Sequence, residues 1–332
     1  MNATTAPLSP RSLGIASLLL ATSSWGAMFL VGKDVLQHVD PFWFTLVRYT
    51  LSALLFAMLL LPRGAAPWQR LRRHAGPLAW RGVAGFGVFS VMLLEGLSHS
   101  APSHGAVIMA TVPMTTQLLR WALDGVRPTR TAVLTAVLAL AGVATVAGVF
   151  SSGDAFNTGY LLGDALALAG TLGWIAYTRG AARMPELDVV EYTALTVLAS
   201  WPLLLLGTLA ATAVGLSAAP GAEGLQSSWH GLLFAGVLSS AVAVLAFNHG
   251  VRRLGAVTAT AFLNFVPVSA LLMSVALGKP PTAAELLGIA MVVTALLVHT
   301  AASRSPASPT LSPATPGVPT PRAALPPCKA TS

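Results

Sequence analysis

Ionisable side chains are rare in the long apolar stretches of this sequence, and Arg48 and Glu95 are two of them. Arg48 lies in the stretch 42–61 and Glu95 in the stretch 82–99. If these stretches cross a bilayer, a charge at mid-helix costs about 2.5–3.5 kcal/mol on insertion scales. The two side chains could neutralise each other, could bind the carboxylate and the amine of a zwitterion, or Glu95 could carry a coupling proton. A purely structural pair, or side chains that reach outward to the interface, is the alternative.

Two prolines lie near the middle of two further apolar stretches, at Pro113 and Pro267. A proline inside a helix leaves the carbonyl four residues earlier without its hydrogen bond and kinks the helix. Gln117 follows Pro113 by four positions and Asn264 precedes Pro267 by three, so each proline shares a face with a polar side chain. Freed carbonyls and amides are tolerated in a membrane where they line a cavity or meet a neighbouring helix. These four residues are therefore predicted to line a binding site, with a packed structural kink as the alternative.

Three more residues could contribute to this site or to its energy coupling. Trp25 and Phe29 are one helical turn apart, so their rings can form one aromatic wall, unless they only pack in the core or against lipid. Asp164 lies at the start of the stretch 158–178 and is, with Glu95, a candidate coupling group. A carboxylate in the first turn of a helix is also stabilised by the helix dipole, which would make Asp164 structural.

Several kinds of chemistry lack their signature in this sequence. There is no zinc-binding HExxH motif and no second intramembrane aspartate to pair with Asp164, so an intramembrane enzyme is not expected and no catalytic residue is assigned. The lone ionisable groups do not form a ring, which argues against a channel. No GxxxxGKS phosphate-binding loop occurs, so active transport would draw on an ion gradient. The only cysteine is Cys328, near the C-terminus, and neither a metal nor a cofactor is expected.

Composition identifies the elements that must position these residues. Only 9% of the 332 residues are charged and 55% are hydrophobic, and the mean hydropathy is +0.72. A soluble chain could not cover its surface with so few charges, so the bilayer must be the solvent. A membrane span needs about 20 mainly apolar residues in a helix, because each backbone polar group must be paired within the segment. Ten stretches meet this condition: 13–32, 42–61, 82–99, 104–123, 131–150, 158–178, 189–213, 229–250, 254–277 and 283–300.

Basic residues follow the pattern that sets membrane orientation. Of the 19 Lys and Arg, 15 lie in one set of alternate joints and at the two ends, whereas the other set holds only Lys33 and Lys279. Because basic loops stay in the cytoplasm, both termini are predicted to be cytoplasmic. The net charge of +8 is thus a topology signal, and no nucleic-acid partner is expected. The excess of Arg over Lys, 16 against three, indicates GC-rich coding and a bacterial cytoplasmic (inner) membrane.

Two segments of the sequence repeat each other. Segments 96–113 and 250–267 both run from a Gly to a Pro 17 positions later, and each crosses from one apolar stretch into the next. Trp25 and Trp174 lie in the first stretch of each half. Each half would contain five helices, and since five is odd, the halves must enter the membrane from opposite sides. Such inverted repeats let one half adopt the other's conformation with the openings exchanged, which is the basis of alternating access.

The predicted fold class is an all-α integral membrane protein with ten transmembrane helices in two inverted five-helix repeats. Its expected parts are a cytoplasmic segment 1–12, a first repeat 13–150, a second repeat 158–300 and a disordered cytoplasmic tail 301–332 rich in Pro, Ser and Thr. The expected partners are the lipid bilayer and a small-molecule substrate, and monomer and homodimer both stay open. A small-xxx-small pattern at Gly159, Gly163 and Ala167 predicts close helix packing.

The sequence also resembles the EamA family of the drug/metabolite transporter superfamily, over residues 14–300. In the first half the resemblance lies in Trp25-Gly26 with Phe29, in DPFWFTLVRY at 40–49, in the helix of Pro113 and in Gly142-Val143. In the second half it lies in GDALAL at 163–168, Trp174, AFNHGVRRLGA at 246–256, Pro267, and LGKPPT leading to Gly288. The resemblance implies ten helices, cytoplasmic termini, and export or uptake of metabolites, amino acids or drugs. The family often has Glu after the fourth and ninth helices, where this chain has Asp124 and Lys279.

These observations together predict a secondary transporter, an exporter of a small metabolite such as an amino acid, driven by an ion gradient. The alternative within transport is efflux of hydrophobic cationic drugs, with Glu95 as the neutralising acid. The alternative outside transport is an intramembrane enzyme. The substrate, the direction and the coupling ion are left open by the residues themselves.

Overall fold

A computed structural model describes residues 9–99, 102–146, 158–276, 278 and 283–302, and the regular structure of these residues is helical throughout. Seven α-helices lie in the first half: α1 Pro10–Val35, α2 Pro41–Leu60, α3 Ala66–Arg73, α4 Ala75–Gly82, α5 Phe89–His99, α6 Pro102–Asp124 and α7 Arg130–Val146. Seven more lie in the second: α8 Thr158–Ala182, α9 Val189–Ala213, α10 Ala222–Leu233, α11 Ala243–Leu254, α12 Ala256–Ala261, α13 Phe265–Ala276 and α14 Ala283–Ala302.

Some of these helices are joined by segments of a different helical type. The π-helical segment Val83–Val88 connects α4 to α5, and the π-helical segment Phe234–Val242 connects α10 to α11. The two segments occupy corresponding places in the two halves, within the third and eighth apolar stretches. A 3-10 turn at Phe262–Asn264 connects α12 to α13, just before Pro267. Such departures from α geometry are concentrated at functional sites in proteins.

Side-chain caps fix where several helices begin. The Ser9 hydroxyl accepts the Ser12 N–H at 3.1 Å, and Pro10 follows as the first residue of α1. The Asp40 carboxylate accepts the Phe42 N–H at 2.8 Å at the start of α2, and Asp188 accepts the Glu191 N–H at 2.8 Å at the start of α9. An Asp or Ser in this position satisfies a backbone donor that the first helical turn leaves unpaired.

Long apolar helices make this a multi-pass membrane protein. Among the described residues, six helical segments are long and apolar enough to cross a bilayer: Pro10–Val35, Pro41–Arg63, Ala75–Ser98, Val189–Ala213, Ala222–Leu254 and Ala256–Met273. Two shorter apolar helices are Arg130–Gly142 and Leu286–His299. Several helices extend beyond the predicted stretches, because their polar first or last turns still form helical hydrogen bonds outside the apolar segment. The predicted tail lies almost wholly in residues 303–332, outside the described part of the chain.

The joint between α2 and α4 contains a short helix, α3, that the sequence did not predict. This short helix carries Arg70, Arg72 and Arg73 in its last turn, while Trp68 packs against the main hydrophobic cluster. Its sequence is amphipathic, so one face covers apolar neighbours and the basic face remains polar.

The contacts between helices of the two halves follow the internal repeat. The first helix of the first half, α1, packs on α11 and α13 of the second half, and the first helix of the second half, α8, packs on α5 and α6 of the first. Likewise α2 packs on α9, and α7 packs on α14. The contacts of α1 thus correspond to those of α8, while α2–α9 and α7–α14 each join two helices that correspond to each other, as expected for two related repeats.

Two glycines that correspond in the sequence repeat show this relation in detail. A Cβ on Gly96 of α5 would lie 2.6 Å from the carbonyl oxygen of Gly163 and 3.0 Å from the Cβ of Ala167. A Cβ on Gly250 of α11 would meet the Leu18 side chain and lie 3.2 Å from the carbonyl oxygen of Gly14. Gly14 and Leu18 precede Gly163 and Ala167 by the same offset of 149 that separates Trp25 from Trp174. Close packing at Gly163 and Ala167 is therefore confirmed.

At each end of the molecule, two loops are in contact that the distribution of basic residues assigns to the same side of the membrane. At one end of the molecule, Arg63 after α2 forms an ion pair of 2.6 Å with Asp188 before α9. At the opposite end, the Ser217 hydroxyl donates to the Asp40 carboxylate at 2.7 Å. We call the first end the basic end and the second the acid-capped end.

Candidate substrate cavity

A cavity of about 380 Å³ lies between the two halves of the molecule. Its walls come from α1, α2, α5, α6, α8, the π-helical segment Phe234–Val242, α11 and α13. The exposed residues Lys33 and Gln37, at the end of α1, lie at its rim on the acid-capped side, as does Ser98 at the end of α5. The volume and the mainly apolar walls are typical of a small-molecule site.

Aromatic rings close the cavity toward the basic end. The Trp25 and Trp174 rings are 5.3 Å apart in an edge-to-face arrangement, and each packs on Phe247, at 5.2 and 5.4 Å respectively. The Trp174 ring also contacts Tyr177 at 5.5 Å, and Phe89 lies 5.4 Å from Trp174 on the other side. Such contacts between aromatic rings add to the free energy gained by burial alone. We call Trp25, Trp174 and Phe247 the aromatic floor.

Hydrogen bonds join three helices of the second half beneath the aromatic floor. The Asn248 amide of α11 donates to the Tyr177 hydroxyl of α8 and, at 2.8 Å, to the Thr193 hydroxyl of α9. The Tyr192 hydroxyl donates to the Tyr177 carbonyl at 2.7 Å. All four side chains are buried, so these bonds satisfy polar groups that would otherwise be costly to remove from water.

Ion pairs between the halves cover the basic end. Arg70 of α3 pairs with Glu191 of α9, Arg63 lies 3.8 Å from the same carboxylate, and Arg179 of α8 pairs with Asp124 of α6 at 2.7 Å. Partial burial would raise the pKa of Asp188, but hydrogen bonds from the Glu191 N–H and from Arg63 outweigh it, so the pKa is below its ordinary value. The Arg179 guanidinium likewise lowers the pKa of Asp124. We call these cross-half pairs the inner clasp.

Arg48 is the buried cation of the cavity. It is 8% exposed, and its guanidinium carbon lies 4.9 Å from the centre of the Tyr49 ring and 5.8 Å from that of Phe44. Its Nε has no hydrogen-bond partner among the described residues. The π-helical segment positions α2 here, because the Ser52 hydroxyl donates to the Gly236 carbonyl at 2.7 Å.

The predicted ion pair between Arg48 and Glu95 is not present among the described residues. Arg48 lies against aromatic rings instead, which attract a cation through their negative faces. Glu95 is half-buried on α5 and does not line the cavity. Trp25, Phe29 and Arg48, in contrast, all line it, so the structure brings these three predicted site residues together.

The polar residues near the prolines line a second, smaller cavity. Gln117 and Asn264 line a small cavity of about 10 Å³, with Thr135 and His299, between α6, α7, α12 and α14. The Thr135 hydroxyl lies 3.4 Å from Nδ1 of His299, and Asn264 Oδ1 has no partner among the described residues. A space of this size is about that of one water molecule.

The two prolines differ in their effect on the helix. The helix changes type at Phe262–Asn264, where the Leu263 carbonyl, which lacks its α-helical bond because of Pro267, accepts the Phe265 N–H, and Pro267 itself is buried. In contrast, α6 continues through Pro113 without a change of helical type, since a helix can absorb one missing bond by bending. The side chains of Pro113 and Asp164 lie outside the described residues, so their predicted roles stay predictions.

Sequence reasoning did not assign Trp174, Tyr49, Ser239 or Ser240 to the site, although all four line the cavity. The repeat gave a usable signal for Trp174, because it corresponds to the predicted site residue Trp25. The serines lacked such a signal, because nothing in the apolar stretch 229–250 marks the π-helical segment that contains them.

The fold and the cavity indicate a class of protein: a membrane transporter with two related halves and a cavity between them. A model of the EamA-like transporter family matches residues 12–148 and 161–301, one match for each half. The chain therefore belongs to the EamA-like transporter family, and the predicted resemblance is confirmed.

Individual relatives are similar along nearly their whole length. The uncharacterized transporter YrdR of Bacillus subtilis (strain 168) is 28% identical over 291 residues, covering 86% of this chain and 91% of that protein. A probable terminal-alkyne amino-acid exporter of Streptantibioticus cattleyicolor is 26% identical over 291 residues, covering 86% and 93%. One solved crystal structure of a protein shares the fold with a TM-score of 0.70 and 22% identity, covering 90% of this chain and all (100%) of that one.

Proposed function

We propose that this protein is a secondary transporter that exports a small metabolite such as an amino acid by alternating access. The observation that carries the proposal is a cavity between two related halves, with a rim at one end and an aromatic floor and inner clasp at the other. Such an asymmetric cavity is one of the two states that alternating access requires, and exchange of the two halves would give the other.

The proposed topology has ten membrane spans in two inverted five-helix repeats, 13–150 and 158–300, in the bacterial cytoplasmic membrane. With both termini cytoplasmic, the basic end faces the cytoplasm and the cavity faces outward. The contacts of Arg63 with Asp188 at one end and of Ser217 with Asp40 at the other support this arrangement, because each joins loops assigned to the same side.

Amino-acid export is supported by the charge of the cavity and by one relative. Arg48 and Lys33 give the lining a positive character that suits a carboxylate. The relative from Streptantibioticus cattleyicolor is described as a probable exporter of a terminal-alkyne amino acid. Efflux of hydrophobic cations fits less well, because Glu95, the acid that it would need, does not line the cavity.

Metabolite profiling followed by reconstitution tests the proposal. Cells that overproduce the protein should release one or a few small metabolites that a deletion strain retains. The purified protein in proteoliposomes should then move that metabolite against its concentration gradient when a pH or sodium gradient is imposed. Flux that no ion gradient stimulates would contradict secondary active transport, and an unchanged metabolite profile in both strains would contradict export.

A further inference from the structure

Among the residues that the structure describes, the charges that face the main cavity all have one sign, and this restricts what the cavity can hold. Resting on the proposed function, we infer that the transported substrate is recognised by its carboxylate, which the Arg48 guanidinium and the Trp174 indole N–H bind, and that an amino group is not required. The substrate class is then small apolar carboxylates, of which amino acids are one subset.

Arg48 is a buried cation without an ion pair among the described residues. A buried guanidinium is costly unless hydrogen bonds and an opposite charge compensate it. The described residues provide aromatic rings and no ion pair for Arg48, and its Nε is without a partner. A substrate carboxylate would supply the missing charge, and a planar guanidinium binds a carboxylate through two parallel hydrogen bonds.

A comparison of the two floor tryptophans supplies the second part. The Trp25 indole N–H donates to the Ser239 carbonyl of the π-helical segment at 3.0 Å. Trp174 corresponds to Trp25 in the other half, is 3% exposed and lines the cavity, yet its N–H has no partner among the described residues. A buried indole N–H normally finds an acceptor. The missing acceptor is expected to be an oxygen of the substrate.

The lack of a counter-charge for an amine supplies the third part. Among the described residues that line the cavity there is no Asp or Glu, whereas Lys33 and Arg48 are both cations. An ammonium group could lie against an aromatic face, but Arg48 already lies against Tyr49 and would repel a second cation in the same apolar space. A carboxylate without an amine meets no such repulsion.

Matched ligands that differ only in their charged groups test this inference on the purified full-length protein in lipid nanodiscs. One series is phenylalanine, 3-phenylpropanoate, 3-phenylpropanamide and phenethylamine, and an aliphatic series is leucine, 4-methylpentanoate, its amide and isoamylamine. Binding is followed by quenching of tryptophan fluorescence, because two tryptophans form the floor. Within a series, the plain carboxylate should bind at least as tightly as the amino acid, and the amide and the amine should bind at least about tenfold more weakly than the plain carboxylate.

Variants show whether the two donors cause this selectivity. Arg48→Gln should reduce carboxylate affinity at least about tenfold and remove the preference for carboxylate over amide. Trp174→Phe keeps the ring and removes the N–H, so carboxylate affinity should fall about tenfold, while binding of the amine, which has no acceptor for this N–H, should change little. The controls are Arg120→Gln and Trp43→Phe, since neither residue lines the cavity and the Trp43 N–H donates to Thr212.

Each result has a definite meaning. Amines or amides that bind as tightly as carboxylates, a carboxylate preference that survives Arg48→Gln, or no binding of any carboxylate at millimolar concentration would overturn the inference. The proposed transport function is judged separately, by flux in proteoliposomes. Gradient-driven flux of a substrate without a carboxylate would overturn the inference and leave the proposed transport function standing. Carboxylate binding without any flux would support carboxylate recognition and contradict the proposed transport function.

Discussion

At the scale of single residues, the structure separates two side chains that the sequence suggested as a pair. Arg48 lies against Tyr49 in the cavity, and Glu95 lies on α5 away from the lining. The sequence identified Arg48 because a lone cation in an apolar stretch needs a reason to be there. It could not show which way Arg48 points, because two faces of a helix differ by only one or two positions, although the rings of Phe44 and Tyr49 that Arg48 contacts lie in the same helix.

We expect the effects of Arg48→Ala and Glu95→Gln on stability to be additive, because the two side chains do not form an ion pair. Residues without a shared contact usually show additive free energies within about 0.3–0.5 kcal/mol, whereas a broken buried pair would show strong coupling. The measurement is the apparent melting temperature of the two single variants and the double variant in the same detergent. Stability recovered in the double variant would instead indicate the pair.

Glu95→Gln also tests the separate prediction that Glu95 carries the coupling proton. The amide keeps the shape and cannot release a proton, so flux driven by a pH gradient should then be lost while exchange persists. Unchanged gradient-driven flux would remove Glu95 as the coupling group.

Asp188 gives a pH-dependent prediction at the start of α9. Its pKa is lowered in the folded protein by the Glu191 N–H and Arg63, so the charged form stabilises the fold at pH values above the ordinary pKa of Asp. This contribution is lost as the pH falls through the lowered folded pKa. Asp188→Asn keeps the helix cap and removes the charge. The variant should therefore melt at a lower temperature than the wild type at pH 7, and this difference should disappear in acid. At pH 7 the loss of stability should be less than about 1 kcal/mol, because the pair is half exposed. A difference that grows on acidification would contradict this assignment.

At the scale of helices, glycine contacts decide how closely the two halves approach. The small-xxx-small pattern predicted the contact surface of α8, and its partner on α5 is Gly96. The π-helical segments and α3 were not predicted. A π turn has no side-chain signature of its own, and the basic residues of α3 read equally well as a loop. The repeat could be recognised in part because the corresponding glycines Gly96 and Gly250 both lie in close contact with a helix of the other half.

We expect Gly96→Ala to destabilise the packing of α5 on α8. The added Cβ would lie 2.6 Å from the Gly163 carbonyl oxygen, so one helix must shift, at a cost of about 1–3 kcal/mol. Gly207→Ala in α9 is the matched control, because nothing lies within 4 Å of its Cβ position. There alanine should be neutral or stabilising by up to about 1 kcal/mol, since it favours the helix. Equal effects of the two variants on the melting temperature would contradict the packing argument.

At the scale of the whole molecule, the distribution of basic residues already separates the two ends of the fold. The inner clasp joins charged residues around predicted cytoplasmic joints, and its acidic members Asp124, Asp188 and Glu191 lie opposite arginines. The distribution of basic residues alone could not reveal these pairs, because it indicates the side of the membrane on which a loop lies and not the neighbours of that loop. The cavity was equally hidden from the sequence, since its lining residues come from both halves.

The proposed orientation can be tested with single cysteines in a Cys328→Ser background. Cysteines at Ser103, Ser152 and Ser227 should react with an impermeant maleimide added to intact cells, and a cysteine at Ser303 should react only after the membrane is opened. The reason is the excess of Lys and Arg in the joints on the other side. Reaction at position 303 in intact cells would reverse the orientation and place the cavity rim in the cytoplasm.

The inner clasp should hold the cavity closed at its basic end, so weakening it should favour the opposite state. In Arg70→Gln the mostly buried Glu191 carboxylate keeps Arg63, at 3.8 Å, as its one basic partner among the described residues, and it is better solvated when the basic end opens. A shift of about 1 kcal/mol, a modest value because Arg70 is partly exposed, would raise the population of the open state roughly fivefold. Thr178→Cys, made in the same Cys328→Ser background, reports this state, because residue 178 is buried one turn from Trp174 toward the basic end.

The thiol introduced by Thr178→Cys should therefore react about fivefold faster with an impermeant maleimide in inside-out vesicles when Arg70→Gln is also present, since a buried thiol reacts in proportion to the open population. Arg72→Gln is the matched control, because it removes the same charge from the same short helix without touching Glu191. Equal rates in the two variants would show that net charge, and not the clasp, governs opening. An unchanged rate in Arg70→Gln alone would mean that the aromatic floor suffices to close the cavity, and that the ion pairs only fasten α3 to α9.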